Sequence, residues 1–202
     1  MSFVDHAARE LNLKIVYFGP GLGGKTSNLQ YVYARTPPER RTAMVSRATE
    51  VERLLMFSLT PRSLPPVRGL GIRLHLYTVP GAVFYDASRR LVLTNVDGVV
   101  FVADSQRARI EANVESLEEL ESNLAAHGRD PSEVPLVVQY NKRDLPDVLP
   151  VAELDALLVM FACPRFEAVA TTGVGVFDTL RGVTRAMLGP LYDAPPDGAS
   201  PA

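Results

Sequence analysis

Leu13-Lys14-Ile15-Val16-Tyr17-Phe18 runs directly into Gly19-Pro20-Gly21-Leu22-Gly23-Gly24-Lys25-Thr26, and the reading of this junction decides the fold. The first six residues form an apolar, strand-like run. The next eight match GxxxxGK[ST], and a helix-like pattern with Leu29, Val32 and Tyr33 on one face follows over 24–35. Such a loop binds phosphate by aiming backbone N–H groups inward, so the chain must curl tightly around an anion. Glycines at 19, 21, 23 and 24 permit that curl because no Cβ blocks close approach or an unusual φ. The helix that follows adds the positive end of its dipole. Gly19, Gly21, Leu22, Gly23, Gly24, Lys25, Thr26 and Ser27 are therefore read as the phosphate-contacting run. In this reading Lys25 lies along the β/γ-phosphates and the Thr26 hydroxyl ligates Mg²⁺. A glycine-rich turn with an exposed lysine is the plain alternative, and the strand and helix on either side argue against it.

Outside this junction, length and composition bound the answer. The chain has 202 residues and 47% hydrophobic content, the profile of one globular α/β domain with a sizeable core. A net charge of −2, from 21 basic and 23 acidic side chains, gives no electrostatic footprint for nucleic acid. One cysteine, Cys163, excludes an internal disulfide framework and is expected as a small buried residue. No apolar stretch is long enough to span a membrane, no leader pattern opens the chain, and Ser2 gives no acylation signal, so a cytoplasmic protein is expected.

Strand and helix patterns alternate, the signature of βαβ units in a mostly parallel sheet. Strands are expected at 12–18, 54–57, 72–77, 99–103, 136–138 and 166–170. Helices are expected at 24–35, 85–93, from a Ser105 cap through Leu124, at 150–161, and from Val176 to Leu188 with Gly189-Pro190 as the stop. Residues 36–50 read as a polar, mobile loop. The domain is expected to span 1–190, with 191–202 a disordered tail.

A second motif, Asn141-Lys142-Arg143-Asp144, follows the buried run Leu136-Val137-Val138, where a doubly wound sheet puts its ligand loops. A carboxylate at Asp144 can accept from guanine N1–H and the 2-amino group together. Adenine offers neither donor, and an unmatched charged acceptor costs roughly 1–3 kcal/mol or more. An ATP-using enzyme is disfavoured on this ground.

Further stretches are distinctive: Ile15 to Leu22, Ala48-Thr49-Glu50, Leu74 to Gly81, Val83 to Arg89, Val96 to Ser105, and Gln139 to Pro146. On these the chain resembles Ras-like small GTPases and, more closely, the bacterial MglA family of cell-polarity and gliding-motility switches, over nearly all of residues 1–188. The resemblance implies a Ras-like P-loop NTPase, a three-layer α/β/α fold with a mostly parallel central sheet, binding GTP or GDP with Mg²⁺. It places Thr78 where most Ras-like proteins carry the Asp of Asp-x-x-Gly, a threonine that this family shares. It gives Gly81 an N–H for the γ-phosphate, and Ala170 an N–H for guanine O6 unless Ala170 is simply a strand end. It matches Arg53 to an arginine supplied in cis for hydrolysis, against the plain reading of an exposed structural arginine. It also implies effector proteins and an MglB-like, roadblock-type regulator dimer, with recruitment to a cell pole through partners.

The departures from the family pattern cluster on the two switch segments. Ala82 follows Gly81 where a water-positioning Gln is usual, and a methyl group can neither donate to nor accept from water. Leu54 stands for a threonine, Ser58 for an acidic residue, Met56 for another aromatic or apolar residue, and Arg47 adds a charge. The expectation is a GTP-binding switch with weak or slowed hydrolysis; the alternative is a non-hydrolysing scaffold that regulates a related switch. Thr42, Ser46 and Thr49 remain open as the second protein ligand of Mg²⁺. His6, His75 and His127 have no partners at metal-ligand spacing. Glu115, Glu118, Glu119 and Glu121 read as a solvated helix face, and Arg89-Arg90 as either an exposed face or a partner contact.

Overall fold

In the central strands both side-chain phases are apolar, as a strand covered on both faces requires. The computed structural model describes residues 3–48, 53–79, 86–158 and 162–193. In chain order these hold β1 (Phe3–Asp5), β2 (Glu10–Phe18), α1 (Lys25–Arg35), β3 (Val45–Ala48), β4 (Arg53–Leu59), β5 (Gly71–Thr78), α2 (Asp86–Leu93), β6 (Gly98–Asp104), α3 (Ile110–Ala126), β7 (Leu136–Asn141), α4 (Val151–Leu158), β8 (Arg165–Glu167) and α5 (Val176–Asp193). The strands make one sheet in the order β3-β4-β5-β2-β6-β7-β8, with β1 on β2. From β5 to β8 every pairing is parallel; β3, β4 and β1 join antiparallel. The mixed, mostly parallel sheet and flanking helices agree with the expected architecture.

Alternation along β2 sorts the core into two layers. Ile15 and Tyr17 pack with Leu29 and Val32 of α1 and with Leu180 and Val183 of α5. Val16 and Phe18 pack instead with Leu93 of α2, Leu117 and Leu120 of α3, and Leu154 of α4. Because β2 lies between β5 and β6, the chain leaves it in one direction and returns on the other side. That is a topological switch point, where such sheets bind ligands. The carboxyl ends of β2, β5, β6 and β7 share one rim, with Tyr17 beside Thr78, Phe18 beside Phe101, and Asp104 beside Asn141.

Several boundaries differ from those expected. β1 is three residues long, too short for a periodicity to register, and β3 lies within the stretch read as a polar loop. An edge strand is bonded on one side only, so it tolerates polar and charged residues such as Ser46 and Arg47. Ser105 is fully buried and does not cap α3, which begins at Ile110 after a short 3-10 turn. The last helix continues past Gly189-Pro190 to Asp193. Pro190 removes one donor near the helix end, while Leu191 packs on the core and the Tyr192 hydroxyl donates to the Pro65 carbonyl at 2.7 Å. Residues 159–161 and 194–202 lie outside the described residues, so the ends of the fourth expected helix and the tail are not placed.

Across β4, β5 and β2, one polar side chain ties three strands. His75 Nδ1 lies 2.7 Å from Ser58 Oγ, and its Nε2 lies 2.7 Å from Asn12 Oδ1. Asn12 Oδ1 can only accept, so Nε2 carries the proton and Nδ1 accepts from Ser58. Burial, together with the nearby Arg73 guanidinium, holds the His75 pKa below its ordinary 6.5. The unfolded chain therefore takes up this proton first as pH falls, and the contribution of neutral His75, full above about 6.5, is lost below it. Unfolding free energy measured in urea is expected to fall between about pH 7 and pH 5, and His75→Gln is expected to flatten that slope.

Candidate functional site

The loop after β2 has the backbone that its glycines predict. Gly19 and Gly24 take positive φ values of 131° and 107°, and Leu22 takes 62° with its side chain in solvent. A Cβ on Gly19 would run into the Val102 carbonyl, and one on Gly24 into the Asn141 amide. The Gly23 N–H donates to the Pro20 carbonyl at 3.2 Å and closes the curl. Lys25 is buried, and its ammonium lies over the loop, donating to the carbonyls of Gly19 (2.8 Å) and Pro20 (2.7 Å). α1 begins with no side-chain cap and no acidic residue in its first turn. Its first N–H groups are thus left for an anion at the loop. Thr26 and Ser27, half-buried in that turn, make no side-chain hydrogen bond with other described residues. A hard cation takes oxygen ligands, and the Thr26 hydroxyl suits one. Among the described residues no cluster of three His, Cys, Asp or Glu could hold a metal, so most ligands of such an ion would be phosphate and water.

The Asn141 motif stands against the same loop. Asn141 is 2% exposed; its Nδ2 donates to the Gly23 carbonyl at 2.8 Å and its Oδ1 accepts from the Ala170 N–H at 2.9 Å. The Ala170 N–H, expected to face guanine O6, donates here to Asn141 and so ties the segment after β8 to the end of β7. Lys142 adopts a positive φ of 67°, and its ammonium donates to Asp104 Oδ2 at 2.6 Å. Asp144 is exposed and makes no hydrogen bond or ion pair with the described residues, so both carboxylate oxygens can accept from a ligand.

Sequence reasoning missed two supports of this site. Asp104, at 0% exposure, receives Lys142, and Arg109 Nε lies 3.8 Å away. Arg109 also donates to the Gly21 carbonyl at 2.8 Å, joining the start of α3 to the phosphate loop. The second support is a buried amide pair. Asn28 Nδ2 donates to Gln139 Oε1 (2.7 Å), Gln139 Nε2 donates back to Asn28 Oδ1 (3.0 Å), and Gln139 Nε2 also donates to Thr179 Oγ1 (2.8 Å). All three residues are fully buried. They join α1, β7 and α5 directly beneath both motifs. The signal was present: a glutamine inside an apolar strand needs a buried partner.

The comparisons with known proteins agree with this geometry. The ADP-ribosylation factor family model matches residues 66–181, more than half of the chain. The Mutual gliding-motility protein MglA of Myxococcus xanthus (strain DK1622) is 56% identical over 188 residues, covering 93% of this chain and 96% of that protein. The chain belongs to the MglA-type small GTPases. Guanine-nucleotide binding follows from that membership.

Other expected GTPase residues fall in different places. Thr78 is fully buried at the end of β5, and its hydroxyl accepts the Leu55 N–H at 2.9 Å. Arg53 opens β4 at the phosphate end of the sheet. Gly81, Ala82 and Thr49 lie outside the described residues. Thr42 Oγ1 accepts the Ser58 N–H at 3.0 Å, three residues and about 10 Å along β4 from Leu55, which removes it from the phosphate end. Ser46 pairs with Leu55 at that end. Arg89 is not on an exposed face: it is 2% exposed and ion-paired with Glu119, tying α2 to α3. Glu121 is half-buried, and burial raises its pKa, so the acidic face of α3 is solvated only in part. Cys163 is half-buried instead of fully buried, and burial pushes its thiol pKa up.

The Asn28–Gln139 pair yields a direct test. Gln139→Leu is expected to lower stability by about 1–3 kcal/mol because it strands the Asn28 amide. Asn28→Leu with Gln139→Leu is expected to cost less than the two separate losses added, as measured by urea unfolding at one fixed GDP concentration.

Proposed function

We propose that this chain is a GTP-dependent molecular switch with slowed hydrolysis, acting in cell polarity or motility through nucleotide-dependent partner binding. One observation carries the reading. The nucleotide-facing residues, from Gly19 to Ser27 together with Asn141, Lys142 and Asp144, keep the family pattern, while the position after Gly81 is Ala82. Binding and hydrolysis rest on different residues in such proteins, because hydrolysis needs a positioned water and charge stabilisation around the γ-phosphate. Arg53 supplies the charge in cis. A methyl group at Ala82 leaves the water unassisted.

In this reading the loop N–H groups and Lys25 hold the β/γ-phosphates, and Thr26 holds Mg²⁺, which supplies charge neutralisation at the phosphates when bound. Asp144 accepts from guanine N1–H and the 2-amino group. Thr78 and Gly81 sit at the entry of the segment that responds to the γ-phosphate. An MglB-like, roadblock-type dimer would align existing groups instead of inserting an arginine, and effector proteins would read the GTP state. The gliding-motility role named for the Myxococcus relative supports the assignment to motility.

Single-turnover GTP hydrolysis, with and without such a regulator, tests the reading. Ala82→Gln is expected to raise the rate roughly tenfold or more; no gain would instead favour a non-hydrolysing scaffold. Asp144→Asn is expected to weaken GDP binding by about 1.5–3 kcal/mol and to favour xanthosine diphosphate, whose 2-oxo group accepts where guanine donates. Competition of the two diphosphates against a fluorescent GDP reads both effects.

A further inference from the structure

At the end of the sheet away from the phosphate loop, α1 and α5 leave a groove of about 610 Å³ against β4 and β5. Its floor is aliphatic: Leu59, Leu74, Leu180 and Leu188 are each at most 6% exposed. Five arginines stand around it, Arg35, Arg40, Arg62, Arg181 and Arg185, and no aspartate or glutamate is among its described lining residues. Arg40 donates to the Thr60 carbonyl, Arg181 pairs with Asp178, and Arg35 lies over the Tyr31 ring. Arg62 and Arg185 make no hydrogen bond or ion pair with the described residues. With Arg181 paired to Asp178, the other four cations on the rim leave a local positive field, in a chain of net charge −2, that a bound anion would relieve.

We propose that this groove binds a single-chain anionic lipid, its acyl chain on the leucine floor and its carboxylate or phosphate head among the guanidinium groups. The volume falls within the ≈ 300–1,000 Å³ typical of small-molecule sites, which are mostly apolar with a few polar groups that fix orientation. Guanidinium groups match carboxylate and phosphate oxygens as two-pronged donors. The buried leucine floor lies below the rim formed by α5 and the segments 35–40 and 60–64, which suits a monomeric lipid entering the groove better than adsorption to a bilayer.

The test uses the full chain in its GDP form and 11-(dansylamino)undecanoic acid, an anionic probe with one alkyl chain. The probe is expected to blue-shift and saturate with a Kd on the order of micromolar. Oleate below its micelle concentration should displace it, and dodecanol should not. Arg35→Gln/Arg62→Gln/Arg185→Gln should weaken binding roughly tenfold or more, with GDP affinity unchanged as proof of folding. Leu64→Asp, at the exposed mouth, should do the same. Absence of saturable binding, full affinity in the triple variant, or equal displacement by dodecanol overturns the proposal. So does binding only to phosphatidylglycerol vesicles, which would assign the arginines to a membrane surface. Saturation by an acidic amphipathic Leu/Glu peptide with no response to the probe would assign the groove to a partner's helix, and overturns it too.

Discussion

The site depends on one side-chain amide. Asn141 donates to the Gly23 carbonyl and accepts from the Ala170 N–H while nearly excluded from solvent. A glycine-rich loop has few side chains with which to pack, so its shape must be imposed from outside. Asn141 imposes it from 118 residues away. The approach is possible only because Gly24 has no Cβ, since one there would occupy the position of the Asn141 amide. The glycine and the asparagine are two halves of one device, and the shape of the glycine-rich loop is set by the motif at the end of β7.

Behind that contact, buried polar groups continue the support. Asn28, Gln139 and Thr179 satisfy one another beneath the rim, and Asp104 collects Lys142 and Arg109 beside it. Such networks contribute little net stability compared with apolar packing, but they are strict about geometry, because a displaced member leaves a buried polar group unpaired. Apolar contacts between α1, α5 and the sheet would tolerate small sliding. Reciprocal amide hydrogen bonds tolerate far less, so the helix that opens at Lys25 is held in register with the strand that ends at Asn141.

The half of the sheet formed by β3, β4 and β5 is built differently. Its strands are antiparallel and its outer strand is a free edge. It joins the centre through the parallel β5–β2 ladder and shared apolar packing, to which His75, between Ser58 and Asn12, adds a polar tie across three strands. Leu54, Met56 and Ser58, where the resemblance implies other residues, all fall on β4. These three residues share the half-buried face of β4, while Leu55, Phe57 and Leu59 on its other face belong to the core.

The α/β class, the phosphate loop, the Asn141 motif and most helices were legible from residue order, because each rests on local physics: glycine freedom, apolar periodicity and a strand-to-helix junction. The short strands β1 and β3 were not, since an edge strand is defined by its partner and not by its own pattern. The extension of α5 past Pro190 was also hidden, because the contacts of Leu191 and Tyr192 outweigh one lost donor. Arg89 looked like a surface residue until α3 brought Glu119 to it, and the hydrogen bond from the Ala170 N–H to Asn141 could not be read from spacing. Sequence by itself determined which groups could meet a guanine nucleotide. Only the tertiary structure decided which of those groups are already committed to one another, because hydrogen-bond partners more than a hundred residues apart are chosen by packing and not by spacing.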